Sequence, residues 1–253
     1  MKNHIFTFIL LVWVAGLAQI PDNIKLPEGG KQKADTKIEE HFSFYITKDD
    51  QVFDKNGERK KNPYEIADYI TKHQPQDTTA EKVVYLHIDK RTRYTTVNTI
   101  KNQIARAGIY TVFYITQPMD TSLNGYKFYL PQLSTKTQIK DTSKKKPVEL
   151  PKNRKPIFIT LLGGNKVSCN GKTMALTSKR FKNLIASYNF INLDFTNDLR
   201  YNAYIEWLGS ITAYNEEKRK TGFPLIVLEM LPDLKMKDKN KGNSVGISTS
   251  RYR

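Results

Sequence analysis

"DKRTRYTTVNTIKNQIARAGIYTVFYIT", Asp89 to Thr116, is the stretch whose reading decides the fold. It follows an apolar run, passes through a charged cluster ending in Arg93-Tyr94, and turns helical at once. From Tyr94 onward Val97, Ile100, Ile104 and Ala107 fall on one helical stripe, and Gly108 stands where a C-cap glycine belongs. The closing IYTVFYIT reads as a strand. A second Arg-Tyr, Arg200-Tyr201, stands in "TNDLRYNAYIEWLGSI", Thr196 to Ile211, again between an apolar run and a helical one.

Working outward, the pattern around the first Arg-Tyr has a counterpart around the second. Before the first, His41–Thr47 alternates Phe42, Phe44 and Ile46 on one side, and Asn56-Gly57 marks a tight turn. Ile66, Ala67, Tyr69 and Ile70 then fall at helical spacing, and KVVYLHID is a strand with Val84, Leu86 and Ile88 facing one way. From Pro156, IFITLL is a strand, Gly163-Gly164 a turn, and Asn170-Gly171 a second Asn-Gly. Ser178 can cap a helix carrying Phe181, Leu184, Ile185 and Tyr188, FINLDFT is a strand, and a helix from about Leu199 carries Tyr201, Tyr204, Ile205, Leu208 and Ile211. A repeat of about a hundred residues is too long for a solenoid and implies tandem domains.

The expected fold is therefore α+β: two tandem small domains in ββαβαβ order, each a sheet packed against two helices. The first spans residues 41–116 and the second 156–231. Residues 21–40, with Pro21, Pro27 and Gly29-Gly30, read as a tether; 117–155 as a linker, in which GYKFYL could add a strand; and 232–253 as a flexible tail. Residues 1–20 read as a signal peptide or membrane anchor. Lys2 precedes an uncharged, mostly apolar run from Ile5 to Ile20, shorter than the about 20 apolar residues of a bilayer-spanning helix. A cut ahead of Gln19, after Gly16 and Ala18, fits a signal peptide, and either reading puts the remainder in the periplasm.

Charge and composition narrow the function classes. The net charge of +16 suits contact with a polyanion, but the lysines are spread along the whole chain as on a solvated surface. No RRM, zinc-finger or helix-turn-helix signature accompanies them, so no nucleic acid is expected. The single cysteine, Cys169, excludes an internal disulfide and reads as a buried thiol. The histidines, His4, His41, His73 and His87, form no ligand spacing, and GGNKVS lacks the lysine-serine/threonine ending of a phosphate loop. No catalytic residue, cofactor or metal is expected, and the chain reads as non-enzymatic.

Residues 23–116 resemble the periplasmic part of the ExbD/TolR family, small subunits of proton-driven biopolymer-transport systems in the cell envelope. NIKLPEGG, with Leu26 and Pro27, looks like the family's Leu-Pro element, and FSFYITKDDQVFDKNGE like its first hairpin. VVYLHIDKRTRYTTVNTIKNQIARAGIYTVFYIT matches through Asp89, the helix-opening Tyr94 and the Ala-Gly-Ile that contains Gly108. Tyr201 takes the Tyr94 position in the second unit, which matches more loosely. The resemblance implies ExbB-, TolQ- or TonB-like partners, contact with cell-wall polymer, and a pseudo-dimer of the two units within one chain. The chain departs from the family in one respect: residues 5–20 hold no acidic residue, and a proton relay through the bilayer needs a carboxylate there. The proton-carrying role is not implied. A soluble module binding a polyanionic envelope polymer is the alternative.

Overall fold

In the computed structural model the residues described are 21, 23–30, 32–34, 41–74, 82–116, 124–130, 157–188, 190–218 and 226–229. The Asp89–Thr116 stretch folds as its periodicity dictates. Helix α2, Tyr94–Arg106, buries Tyr94, Val97, Ile100 and Ile104. Gly108 ends it at φ 80°, a left-handed conformation that a side chain resists, and the Ile109 N–H closes back on the Ile104 carbonyl at 3.2 Å. On either side lie strands β5, Val83–Ile88, and β6, Thr111–Thr116, which run parallel because a helix carries the chain back between them.

The rest of the first half is β1, Gln32–Lys33; β2, His41–Ile46; β3, Val52–Asp54; β4, Arg59–Lys60; α1, Glu65–His73; and β7, Asn124–Tyr129. The second half is β8, Ile157–Gly163; β9, Lys166–Cys169; β10, Lys172–Ala175; α3, Lys179–Ala186; β11, Phe190–Phe195; α4, Tyr201–Lys218; and β12, Ile226–Glu229. The strands form a seven-stranded sheet in the order β1-β7-β6-β5-β2-β3-β4 and a five-stranded one in the order β10-β9-β8-β11-β12. Val84, Leu86 and Ile88 of β5, with Ile191 and Leu193 of β11, point inward. They join residues of the four described helices in one continuous core that spans both halves.

The architecture corrects the expected one: these are not two uniform ββαβαβ domains. Each expected domain has three strands before its first helix, β2–β4 in one and β8–β10 in the other. The third, RK in β4 and KTMA in β10, is a polar edge strand with no apolar alternation to announce it. The first sheet gains two further strands, β1 from the segment read as a tether and β7 from the linker, at the GYKFYL that could add a strand. The halves also share their core, because α4 is apolar on more than one side. Tyr201, Tyr204, Ile205, Trp207, Leu208 and Ile211 are each no more than 1 % exposed, which one small sheet cannot achieve.

No helix among the described residues is long and apolar enough to cross a membrane. A spanning element for the expected membrane-transport role is thus not found among the described residues. Residues 1–20, where the leader or anchor was placed, lie outside the described residues, as do most of the linker and the tail.

Candidate functional site

The two Arg-Tyr pairs meet. Arg93 and Arg200 form an isolated antiparallel bridge between the halves. The Tyr94 N–H donates to the Leu199 carbonyl at 2.8 Å, and the Tyr201 N–H donates to the Thr92 carbonyl at 2.9 Å. The exchange is reciprocal, so a local two-fold relates the start of α2 to the start of α4. Each helix thereby has its first backbone donor satisfied by the other half, a capping role that side chains usually fill. The Arg200 guanidinium adds a bond to the Arg91 carbonyl at 2.9 Å, and the Arg93 guanidinium pairs with Asp50 at 2.6 Å. Tyr94 and Tyr201 are both fully buried; Tyr94 stacks on Tyr204 at 4.2 Å and stands edge-on to Phe195 at 4.7 Å.

Beside Tyr94 the seam encloses an ion pair. The Lys101 side chain, two turns further along α2, is 0 % exposed and binds the Glu229 carboxylate of β12, itself 3 % exposed. Lys101 Nζ also donates to Tyr94 Oη at 3.0 Å, while Tyr204 Oη donates to the other Glu229 oxygen at 2.5 Å. Rings of Phe128, Tyr204 and Tyr94 face the ammonium at 4.9, 5.1 and 5.5 Å, where their quadrupoles favour a cation. Burial pushes the Lys101 pKa down, and the Glu229 charge and hydrogen bond oppose the fall. Sequence reasoning missed this cluster although both halves of it left a mark. Val97, Lys101 and Ile104 share one helical face, so a lysine interrupts an apolar stripe, and Glu229 interrupts the apolar run of β12.

Asp89 and the Leu-Pro element also come together. The Lys25 N–H donates to Asp89 Oδ2 at 2.9 Å, the Lys90 N–H returns a bond to the Lys25 carbonyl at 2.8 Å, and Arg91 clasps the same carboxylate at 2.8 Å. Burial alone would raise the Asp89 pKa, but the bonds from the Arg91 side chain and the Lys25 and Arg91 backbone outweigh it and lower it to about 2. Leu26 packs on a second apolar cluster, Val83, Tyr85, Phe113 and Ile115, on the outer face of the seven-stranded sheet. Pro27 is buried, and Gly30 crosses Gly125 so closely that a Cβ on Gly30 would lie 2.7 Å from the Gly125 backbone. Residues 24–30 and 32–34 thus belong to a strap, fastened at one end by Asp89 and at the other by the β1–β7 pairing. Of the sequence-picked positions, the fold gathers Leu26, Pro27 and Asp89 at the strap and Tyr94 and Tyr201 at the seam; Gly108 stands apart at the end of α2.

The remaining polar candidates are ordinary. His87 stacks on Tyr45 at 4.4 Å, His73 meets the Tyr69 carbonyl at 2.8 Å, and Cys169 is a buried free thiol whose pKa burial raises. Among the described residues no group of three or more His, Cys, Asp or Glu could hold a metal ion. A shallow groove of about 240 Å³ runs between α3 and α4, lined by Phe181, Ile185 and Tyr214 among others. The edges are less ordinary. β6 is flanked by β5 and β7, whereas β12 pairs with β11 alone among the described residues. On the outer face of β8, Phe158 is 63 % and Leu162 37 % exposed.

These features define a mixed α+β protein whose polar chemistry is enclosed in a seam and which leaves apolar side chains open on one sheet face. No family model matches the chain, no curated protein matches it, and no solved structure matches it.

Proposed function

We propose that this is a non-catalytic protein of the periplasm that acts through protein contacts made on the outer face of β8. The single observation behind this is the pair of apolar side chains left open there, Phe158 at 63 % and Leu162 at 37 % exposed. The resemblance of residues 23–116 to ExbD/TolR proteins supplies the partner class: ExbB-, TolQ- or TonB-like envelope proteins. The chain would serve such a system by contact alone, with no transport step of its own.

Co-purification of the full chain from envelope fractions in mild detergent tests this. An ExbB-, TolQ- or TonB-like protein retained at high salt is the expected result, since apolar contact is screened little by ions. The net charge of +16 favours one rival, a module binding a polyanionic envelope polymer. Capture of polymer alone, lost steeply as salt rises, would decide for that reading.

A further inference from the structure

The helix pairs of the two halves close differently. In the first half α1 packs directly against α2. In the second, α3 and α4 meet where Phe181 stands edge-on to Trp207 at 6.0 Å, and beside that contact they leave the groove of about 240 Å³. The buried side chains of Leu176, Phe181 and Ile185 make its floor apolar. Two of its hydroxyls are spent on the chain itself: Ser210 donates to the Glu206 carbonyl at 3.0 Å, and Thr177 accepts from Asn165 at 3.4 Å. A small polar ligand finds little to bind there, and the volume falls below the about 300 Å³ at which small-molecule pockets begin. It suits one or two apolar side chains. The rims carry opposite charge. Lys182, with Lys179 one turn before it, stands exposed on α3; on α4 Glu206, Ser210, Ala213 and Glu217 fall on one helical stripe, both glutamates exposed. The ion pairs of the described residues involve none of these four charges.

We propose that this groove docks an amphipathic helix of a partner protein, its apolar face on Phe181 and Ile185, an acidic flank along α3 and a basic flank along α4. A helix is the occupant because it brings its own backbone hydrogen bonds. An extended segment would lay its N–H and C=O groups against helix walls, which offer no strand edge to pair them. The split of charge between the rims also sets the direction in which the helix runs, since turning it end for end would bring like charges together. The site is independent of the contact proposed at β8. α3 and α4 cover the inner face of the five-stranded sheet, packing with Ile159 and Leu161, whereas Phe158 and Leu162 look out from the opposite face.

Fluorescence anisotropy on the full chain tests it with two synthetic helical peptides of one composition. Both carry leucines at i, i+4 and i+7 spacing. One has glutamates along one flank and lysines along the other; in the second, both flanks mix the two charges. The net charge of +16 acts equally on both peptides, because they carry the same charges. The first is expected to bind about tenfold tighter, and to lose that margin when Lys179→Glu and Lys182→Glu make both rims acidic. Ala213 is exposed, so Ala213→Trp fills the groove and leaves the fold in place, and it is expected to weaken binding of the first peptide about tenfold. Equal affinity for the two peptides, or binding indifferent to Ala213→Trp, overturns the proposal. So does a chain that sediments as a dimer and becomes a monomer with Ala213→Trp, since that assigns the groove to a second copy.

Discussion

The two halves solve one packing problem with different chemistry. In each, a six-residue central strand leads through a short loop into a helix that opens on a buried tyrosine, and these tyrosines exchange backbone hydrogen bonds across the seam. The edge-ward neighbour of that strand then diverges. Leu86 of β5 lies opposite Tyr114, while Leu193 of β11 lies opposite Glu229. Tyr114 faces Tyr201 and Tyr204 at 6.0 and 5.8 Å, an aromatic cluster, whereas Glu229 faces Tyr94 and Lys101. One side of the seam is held by rings and the other by a charge pair. Apolar contacts there tolerate several registers; a buried pair tolerates one, because any slip leaves a charge unsolvated.

The sharpest way to break this comparison is to remove one charge. Lys101→Met leaves Glu229 in the core without its cation and is expected to cost about 3–5 kcal/mol in urea or guanidinium unfolding. Lys101→Leu combined with Glu229→Leu makes the second side as apolar as the first and is expected to cost less than the single change, or to stabilise. A double variant whose loss equals the sum of both single losses would show that the pair is not coupled, and the contrast between the two sides would collapse.

Next in size is the close crossing that only the first sheet has. A Cβ at Gly125 would collide with the Tyr114 carbonyl oxygen and the Phe113 ring, both in the neighbouring strand. Gly125→Ala therefore forces β7 away from β6, at a cost of about 1–3 kcal/mol by the overpacking rule. The same change at Gly171, a turn glycine of the second half with nothing within 4 Å, meets only its backbone penalty at φ 73° and is expected to cost about 1 kcal/mol. Equal losses at the two sites would mean that β7 yields freely where it passes β6.

Asp89 gives the comparison a pH dependence. Its carboxyl is depressed in the folded chain from 3.8 to about 2, so its stabilising bonds are fully present above pH 3.8 and are lost as pH falls toward 2. Asp89→Asn is expected to cost about 1.5–3 kcal/mol at neutral pH and to flatten the acid limb of stability between about pH 4 and 2. Hydrogen exchange resolves where the loss falls: the amides of Lys25 and Lys90 should open, and those of β8 and β11 should not. Uniform opening of both halves would deny the strap its separate existence.

What was legible in the sequence follows from which contacts are local. Helix α2 and strands β5 and β6 were readable because Val97, Ile100 and Ile104, or Val84, Leu86 and Ile88, declare their buried face by spacing alone. The structural importance of Tyr94 and Tyr201 was readable from the repeated Arg-Tyr, though their reciprocal bonds were not, since those join residues a hundred or so positions apart. β4 and β10 escaped because polar edge strands have no apolar period, and β1 because a Gly-rich strap looks like a spacer; β7 was legible as a strand in GYKFYL, though not its place beside β6. Lys101 and Glu229 escaped for a different reason. Each was an exception inside an apolar pattern, and an exception acquires meaning only when its partner, 128 positions away, is seen beside it.

The smallest expected difference lies at the first helix of each half. Ser178 caps α3 by accepting the Phe181 N–H at 3.1 Å. At the matching position of α1, Tyr64 contributes no side-chain cap; Asn62 instead accepts the Tyr64 N–H at 2.9 Å, and Glu65 reaches back to the Lys61 N–H at 3.0 Å. Ser178→Ala removes the only side-chain acceptor described for the start of α3 and is expected to cost about 1 kcal/mol. Asn62→Ala leaves the Glu65 bond standing and should cost less. If Asn62→Ala costs as much as Ser178→Ala, the two caps are equivalent after all, and the difference between the halves stops at the seam and the strap.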